Sequence, residues 1–159
     1  MKTELYKAIK AINIKNLNDD DKEELLRMFM VTKNALIRNQ IAFIFGDLHY
    51  DKAVPYIIKK INDKSTFNNN GSLVYSLQDM EVQKYFIEFI KIICVQEYES
   101  RLMAYEVVQK YAPTISNKIR SRAMKILQEH RIQLKRSAKD KGEDSTLHFV
   151  EKTKELLRL

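Results

Sequence analysis

Three glycines (Gly46, Gly71, Gly142) and two prolines (Pro55, Pro113) are the only strong chain breakers in 159 residues. A β-rich fold of this size reverses direction many times, and each reversal draws on turn residues with special backbone geometry. So little punctuation favours long helices joined by short polar connections. The length suits one domain with a real core. A composition of 45% hydrophobic and 31% charged residues is ordinary for a soluble globular chain.

No apolar run approaches the roughly 18 residues that suggest a membrane span. Met1–Lys7 leads into an amphipathic stretch rather than the apolar centre of a secretory signal. Cys94 is the sole cysteine, so no intrachain disulfide can form. A reducing, cytoplasmic setting is the expectation.

Apolar periodicity predicts nine helices, at about 3–15, 20–31, 35–48, 52–62, 72–79, 82–95, 98–111, 116–135 and 146–158. The third is apolar nearly all round (Ile37, Ile41, Ala42, Phe43, Ile44, Phe45, Leu48), which requires cover on more than one side. Asp19-Asp20-Asp21 opens the second helix. Carboxylates there cap free amides and favour the positive helix end, whereas a calcium loop would need spaced ligands. In the eighth helix Ile115, Ile119, Ala123, Ile126, Leu127, His130 and Leu134 share one apolar arc. Residues 137–145 read as a flexible linker to the last helix, 146–159, which docks through Leu147, Val150, Leu156 and Leu157.

The net charge of +7 is unevenly placed. Residues 1–113 hold 16 Lys/Arg and 15 Asp/Glu, while residues 114–141 hold nine and two. The basicity therefore belongs to one helix and its tail, which is weaker evidence for a nucleic-acid groove than a basic domain would be.

Superposing 38–61 on 70–93, an offset of 32, keeps inward positions together: Val54 with Phe86, Ile57 with Phe89, Ile58 with Ile90, Ile61 with Ile93. Outward positions stay matched too, Lys52 with Lys84 and Lys59 with Lys91, and a third unit starts near Arg101. This is the period of a paired-helix solenoid. Ile37-Arg38 through Gly46-Asp47-Leu48, followed by Asp51-Lys52-Ala53-Val54-Pro55-Tyr56-Ile57-Ile58, resembles the HEAT-repeat family in its short bacterial form. The unit at 70–93 matches in hydrophobic pattern but lacks the Arg, Gly and Pro. Asn70–Leu77 is also similar to a segment of small bacterial HEAT-like proteins, some of them like the immunity proteins of polymorphic toxin systems. The resemblance implies an all-α, right-handed α-α superhelix over 1–136, of about four helical hairpins plus the C-terminal helix. It also implies that the second helix of each hairpin lines the inner curve.

On that curve Lys52, Tyr56, Lys59, Lys84, Glu88 and Lys91 would form a row, continued by Lys118, Arg122 and Lys125. Exposed tyrosines with basic neighbours suit a binding surface. The expected function is a non-enzymatic, protein-binding scaffold, in specific form a toxin-neutralising immunity protein. The alternative is nucleic-acid binding through the basic helix 116–136. His49, His130 and His148 lack partners at metal-ligand spacing, and no phosphate loop or nucleophile motif is present. No catalytic residue, cofactor, metal, membrane or small-molecule substrate is therefore expected. His130 reads as a partly buried structural histidine and Cys94 as a buried structural thiol.

Overall fold

The computed structural model describes residues 2–137 and 142–158. Among them the chain is all-helical: α1 (Lys2–Lys10), α2 (Asp19–Val31), α3 (Ala35–Asp47), α4 (Val54–Ile61), α5 (Gly71–Ser76), α6 (Phe86–Val95), α7 (Tyr98–Tyr111), α8 (Asn117–Arg136) and α9 (Thr146–Arg158). Short 3-10 turns cover Ile14–Asn16, Asp51–Ala53, Lys64–Thr66 and Gln83–Tyr85.

Where the boundaries differ from the periodicity, local chemistry explains it. The first helix ends at Lys10, short of the expected 15, and Asn13 caps a separate turn by accepting from the Lys15 amide. Helix α2 is capped by Asn18 together with Asp21, the last of the three aspartates. Asn18 Oδ1 accepts from the Asp21 amide at 2.8 Å and Asp21 returns a carboxylate to the Asn18 amide at 3.0 Å, a reciprocal capping box. The expected helix over 52–62 starts as a 3-10 turn, and Pro55, in the first turn that follows, has no N–H to give to the Asp51 carbonyl. That carbonyl accepts from Val54 instead. Helix α5 is shorter than expected, six residues from Gly71 to Ser76.

Helix α3 ends in a Schellman motif. The His49 amide bonds the Gly46 carbonyl, the Tyr50 amide bonds that of Phe45, and His49 is left-handed at φ 49°. The Phe45 and Tyr50 rings, 5.4 Å apart, supply the accompanying contact. A non-glycine residue carries strain at that φ, and the His49 ring is held by a 2.8 Å hydrogen bond between Nδ1 and the Asp79 carbonyl.

The odd-numbered helices pack in chain order, α1 on α3, α3 on α5, α5 on α7, α7 on α9, while α6 packs on α7, α8 and α9. One hydrophobic core runs from Ile9 to Leu157, with Phe29, Phe45, Phe86 and Phe89 fully enclosed. Helix α3 meets its cover requirement by lying against α1, α2 and α5. Helix α8 is seated less deeply than its arc predicts. Ala123 and Leu127 are buried, but Ile115, Ile119, Ile126 and Leu134 are only half-buried; His130 is partly buried, as its place on the arc suggested.

Hydrogen bonds tie the turns together across long sequence separations. His49 to Asp79, Glu81 N–H to Asp51 Oδ1 (3.1 Å), Gln83 Nε2 to Thr114 Oγ1 (3.2 Å) and Lys110 Nζ to the Gln78 carbonyl (3.2 Å) span 30, 30, 31 and 32 residues. At the opposite helix ends three buried polar side chains do the same work. Arg38 donates to the Asn69 carbonyl at 2.9 Å. Asn70 donates to the Ile61 carbonyl (2.9 Å) and to Gln96 Oε1 (2.8 Å). Arg101 donates to the carbonyls of Gln96 and Asp144, each at 2.7 Å.

The bond to Asp144 bears on the expected linker. Residues 138–141 lie outside the described residues, but 142–145 form a turn in which Ser145 is buried and its Oγ accepts from the His148 amide. That part of the segment is anchored to α7. Helix α9 then docks on α6, α7 and α8 through Phe149, Val150 and Leu157, with Leu147 and Leu156 half-buried.

Candidate binding surface

The expected site residues lie on α4, α6, α8 and the turns that start them. Lys52, on the turn before α4, hydrogen-bonds Glu23 of α2, which also accepts from the Tyr50 hydroxyl at 3.0 Å. The bond from Lys52, then that from Tyr50, holds the Glu23 carboxyl below the usual range; in return Glu23 raises Lys52. The Lys52 ammonium is thus already matched by a carboxylate of its own chain. The same holds for Lys91, 3.1 Å from Glu88, and Glu88 also accepts from Asn62 at the end of α4 (3.2 Å). These pairs join α2 to the α4 segment and α4 to α6.

Tyr56 is half-buried and Lys59 exposed; with Met30, Lys60, Asn62 and Asp63 they line a hollow of about 530 Å³. Lys84 is exposed, with Nζ 5.2 Å from the centre of the Tyr85 ring. It edges a larger groove of about 680 Å³ where α4, the start of α6 and the start of α8 meet. The α8 wall of that groove is Ile115, Ser116 and Ile119, so Lys118, Arg122 and Lys125 stand apart from it. Those three are exposed along α8, and among the described residues none has a carboxylate within ion-pair distance.

The rest of the basic helix is partly committed to structure. Arg120 turns inward and donates to the carbonyls of Leu157 (2.9 Å) and Ala112 (2.8 Å). Arg131 pairs with Glu151 of α9 at 2.5 Å. Burial raises Glu151, but the hydrogen bond and charge of Arg131 outweigh it, leaving the carboxyl below the usual range.

Sequence reasoning missed the groove's polar rim: Asp51, Glu81, Gln83 and Thr114. The signal was available, because Asp51 and Gln83 are separated by the 32-residue offset. Two exposed carboxylates, one ammonium, an amide and a hydroxyl around an apolar floor of Val54, Pro55 and Ile87 suit recognition of a mixed-polarity surface. Cys94 is no rival centre: burial pushes its thiol up to about 12, so it stays protonated near neutrality. Among the described residues no group of three or more His, Cys, Asp or Glu could hold a metal ion, and no helix is long and apolar enough to cross a membrane. Comparison with known proteins finds no matching family model, curated protein or solved structure.

Proposed function

We propose that this chain is a non-enzymatic scaffold that binds a protein, and that its helices are the hairpins of a HEAT-like solenoid. Turn-to-turn hydrogen bonds spaced 30 to 32 residues apart support the repeat, since a paired-helix unit of that period puts equivalent turns side by side. Packing of odd-numbered helices on one another in chain order supports it too. In its specific form the partner is a bacterial toxin that the chain neutralises, a reading that rests on the resemblance of Asn70–Leu77.

The observation that carries a protein partner is the mixed-sign rim of the groove between α4, α6 and α8. Asp51 and Glu81 repel a phosphate backbone but complement a protein surface bearing both charges. The second reading, nucleic-acid binding, draws on the unpaired Lys118, Arg122 and Lys125 of α8. Three phosphate contacts supply little affinity and a shallow salt slope. Titration with mixed DNA and RNA oligonucleotides at two salt concentrations separates the readings, run on wild type and on a Lys118→Glu/Arg122→Glu/Lys125→Glu variant. Protein binding predicts no tight oligonucleotide complex at physiological salt. An affinity of about 1 μM or better there, lost in the variant, would reverse the order of the two readings. The immunity form predicts that co-expression relieves growth inhibition by a toxin encoded beside this chain.

A further inference from the structure

A second surface lies on α3, α5 and α7 and shares no lining residue with the groove or the basic helix. Its centre is aromatic. Phe43 and Tyr75 meet edge to face with ring centres 6.0 Å apart, and Tyr75 is 58% exposed on an otherwise largely buried helix. Two hollows share these rings. One, of about 470 Å³, is bounded by Asp47, Asp79 and Glu106. The other, of about 330 Å³, has Leu102 and Met103 as its wall and Glu99 at its edge.

The charge of this face is opposite to that of the chain. Helices α3, α5 and α7 carry three cations between them: Arg38 and Arg101, both buried in hydrogen bonds to carbonyls, and Lys110, one turn beyond Glu106 on α7, where its ammonium is taken up by the Gln78 carbonyl at the edge of the first hollow. Against them stand Asp47, Asp79, Glu99 and Glu106, all exposed, with no Lys or Arg within ion-pair distance among the described residues. A chain of net charge +7 has cations to spare, yet among the described residues none pairs with these four.

We infer that this aromatic double hollow docks a positively charged, apolar-flanked segment of a partner protein. An Arg or Lys of that segment enters the hollow ringed by Asp47, Asp79 and Glu106, where a carboxylate takes a charge-assisted hydrogen bond and the Tyr75 ring offers its negative face. A neighbouring Leu- or Met-like side chain enters the hollow walled by Leu102 and Met103. Polyanions are repelled from this face, so it is not a nucleic-acid site under either reading of α8. A second copy of this chain, presenting its own basic α8, would dock head to tail, an arrangement that closes no symmetric dimer and grows with concentration.

The test uses the full chain, isotope-labelled for amide chemical-shift mapping, and two twelve-residue probe peptides. One alternates Lys or Arg with Leu; the other carries Glu at each cationic position. The expected result is saturable shifts from the basic peptide, clustered on α3, α5 and α7, weakened about tenfold by Tyr75→Ala and by Asp79→Asn/Glu106→Gln. Binding should also weaken as salt rises and should be unmoved by Lys118→Ala/Arg122→Ala. Tyr75, Asp79 and Glu106 are exposed, so melting curves of the variants should overlay wild type, and a variant that melts early is replaced by Tyr75→Ser. No saturable shift, shifts centred on another face, equal binding of the acidic peptide, or affinity indifferent to both variants would each overturn the inference. Concentration-dependent assembly of the wild type that Tyr75→Ala abolishes would overturn it in favour of a second copy.

Discussion

At Gly46 the ordinary rule for glycine in a helix reverses. Ala in place of Gly inside a helix normally stabilises by about 0.5–1 kcal/mol. A Cβ at Gly46, however, would stand 2.7 Å from the backbone carbonyl oxygen of Ser76, where α3 crosses α5. Backbone cannot step aside as a side chain can. Gly46→Ala should therefore destabilise by about 1–3 kcal/mol in urea unfolding; a variant as stable as wild type would mean that α3 and α5 do not approach so closely. Cys94 makes a second residue-scale test. Buried, and with its thiol held up to about 12, it should resist a disulfide-exchange reagent at neutral pH in the native protein and react at once in denaturant. Rapid labelling of native protein would place it at the surface.

The last two helices depend on each other. Helix α8 buries only Ala123 and Leu127 among its apolar arc, so α9 completes its cover. Polar links reinforce the seat: Arg120 on the Leu157 carbonyl, Lys154 on Gln128, Arg131 on Glu151. The last of these makes stability pH-dependent. Glu151 titrates lower in the folded chain than in the unfolded one, so the unfolded state binds the proton more readily. The stabilisation is whole above the ordinary glutamate range and drains away as pH falls through the depressed folded value. Melting temperatures of wild type and Glu151→Gln should thus differ at neutral pH and converge on acidification. A gap that persists or widens in acid would show that the pair contributes nothing through charge.

For the whole molecule, one core from Ile9 to Leu157 and turns bonded to the next turns but one predict a single cooperative transition. Urea curves followed by circular dichroism and by tyrosine fluorescence should coincide. Separated transitions, with α8 and α9 leaving first, would show that the two ends are coupled only weakly. Far-ultraviolet circular dichroism should show helix without strand. The molecule also carries opposite charges on separate helices, Lys118, Arg122 and Lys125 on α8 against Asp47, Glu99 and Glu106 on α3 and α7 and Asp79 on the turn after α5.

Fold class was legible in the chain itself, because helix formation is a local matter of breakers, caps and period. Scarce Gly and Pro favoured helix over sheet, and the periods located nine helices, two of which, Tyr98–Tyr111 and Thr146–Arg158, begin and end where periodicity put them. Boundaries set by hydrogen-bond competition were less legible: Asn18 joining Asp21 in a capping box, α4 and α6 each starting as a 3-10 turn, His49 taking a left-handed turn. Of the site, sequence could say which cations exist but not which are free. Lys52 looks like Lys84 in the 32-residue register, yet only tertiary packing brings Glu23 against it; the Lys91–Glu88 pair is one helical turn of α6, and packing adds only the Asn62 link to it. Likewise Arg38, Asn70 and Arg101 are polar residues whose burial only the packed helices bring about, on partners 26 to 43 residues away in the chain. Periodicity registers which way a residue points along its own helix. The partner it meets there depends on which helix lies opposite, and that is decided only when the core closes.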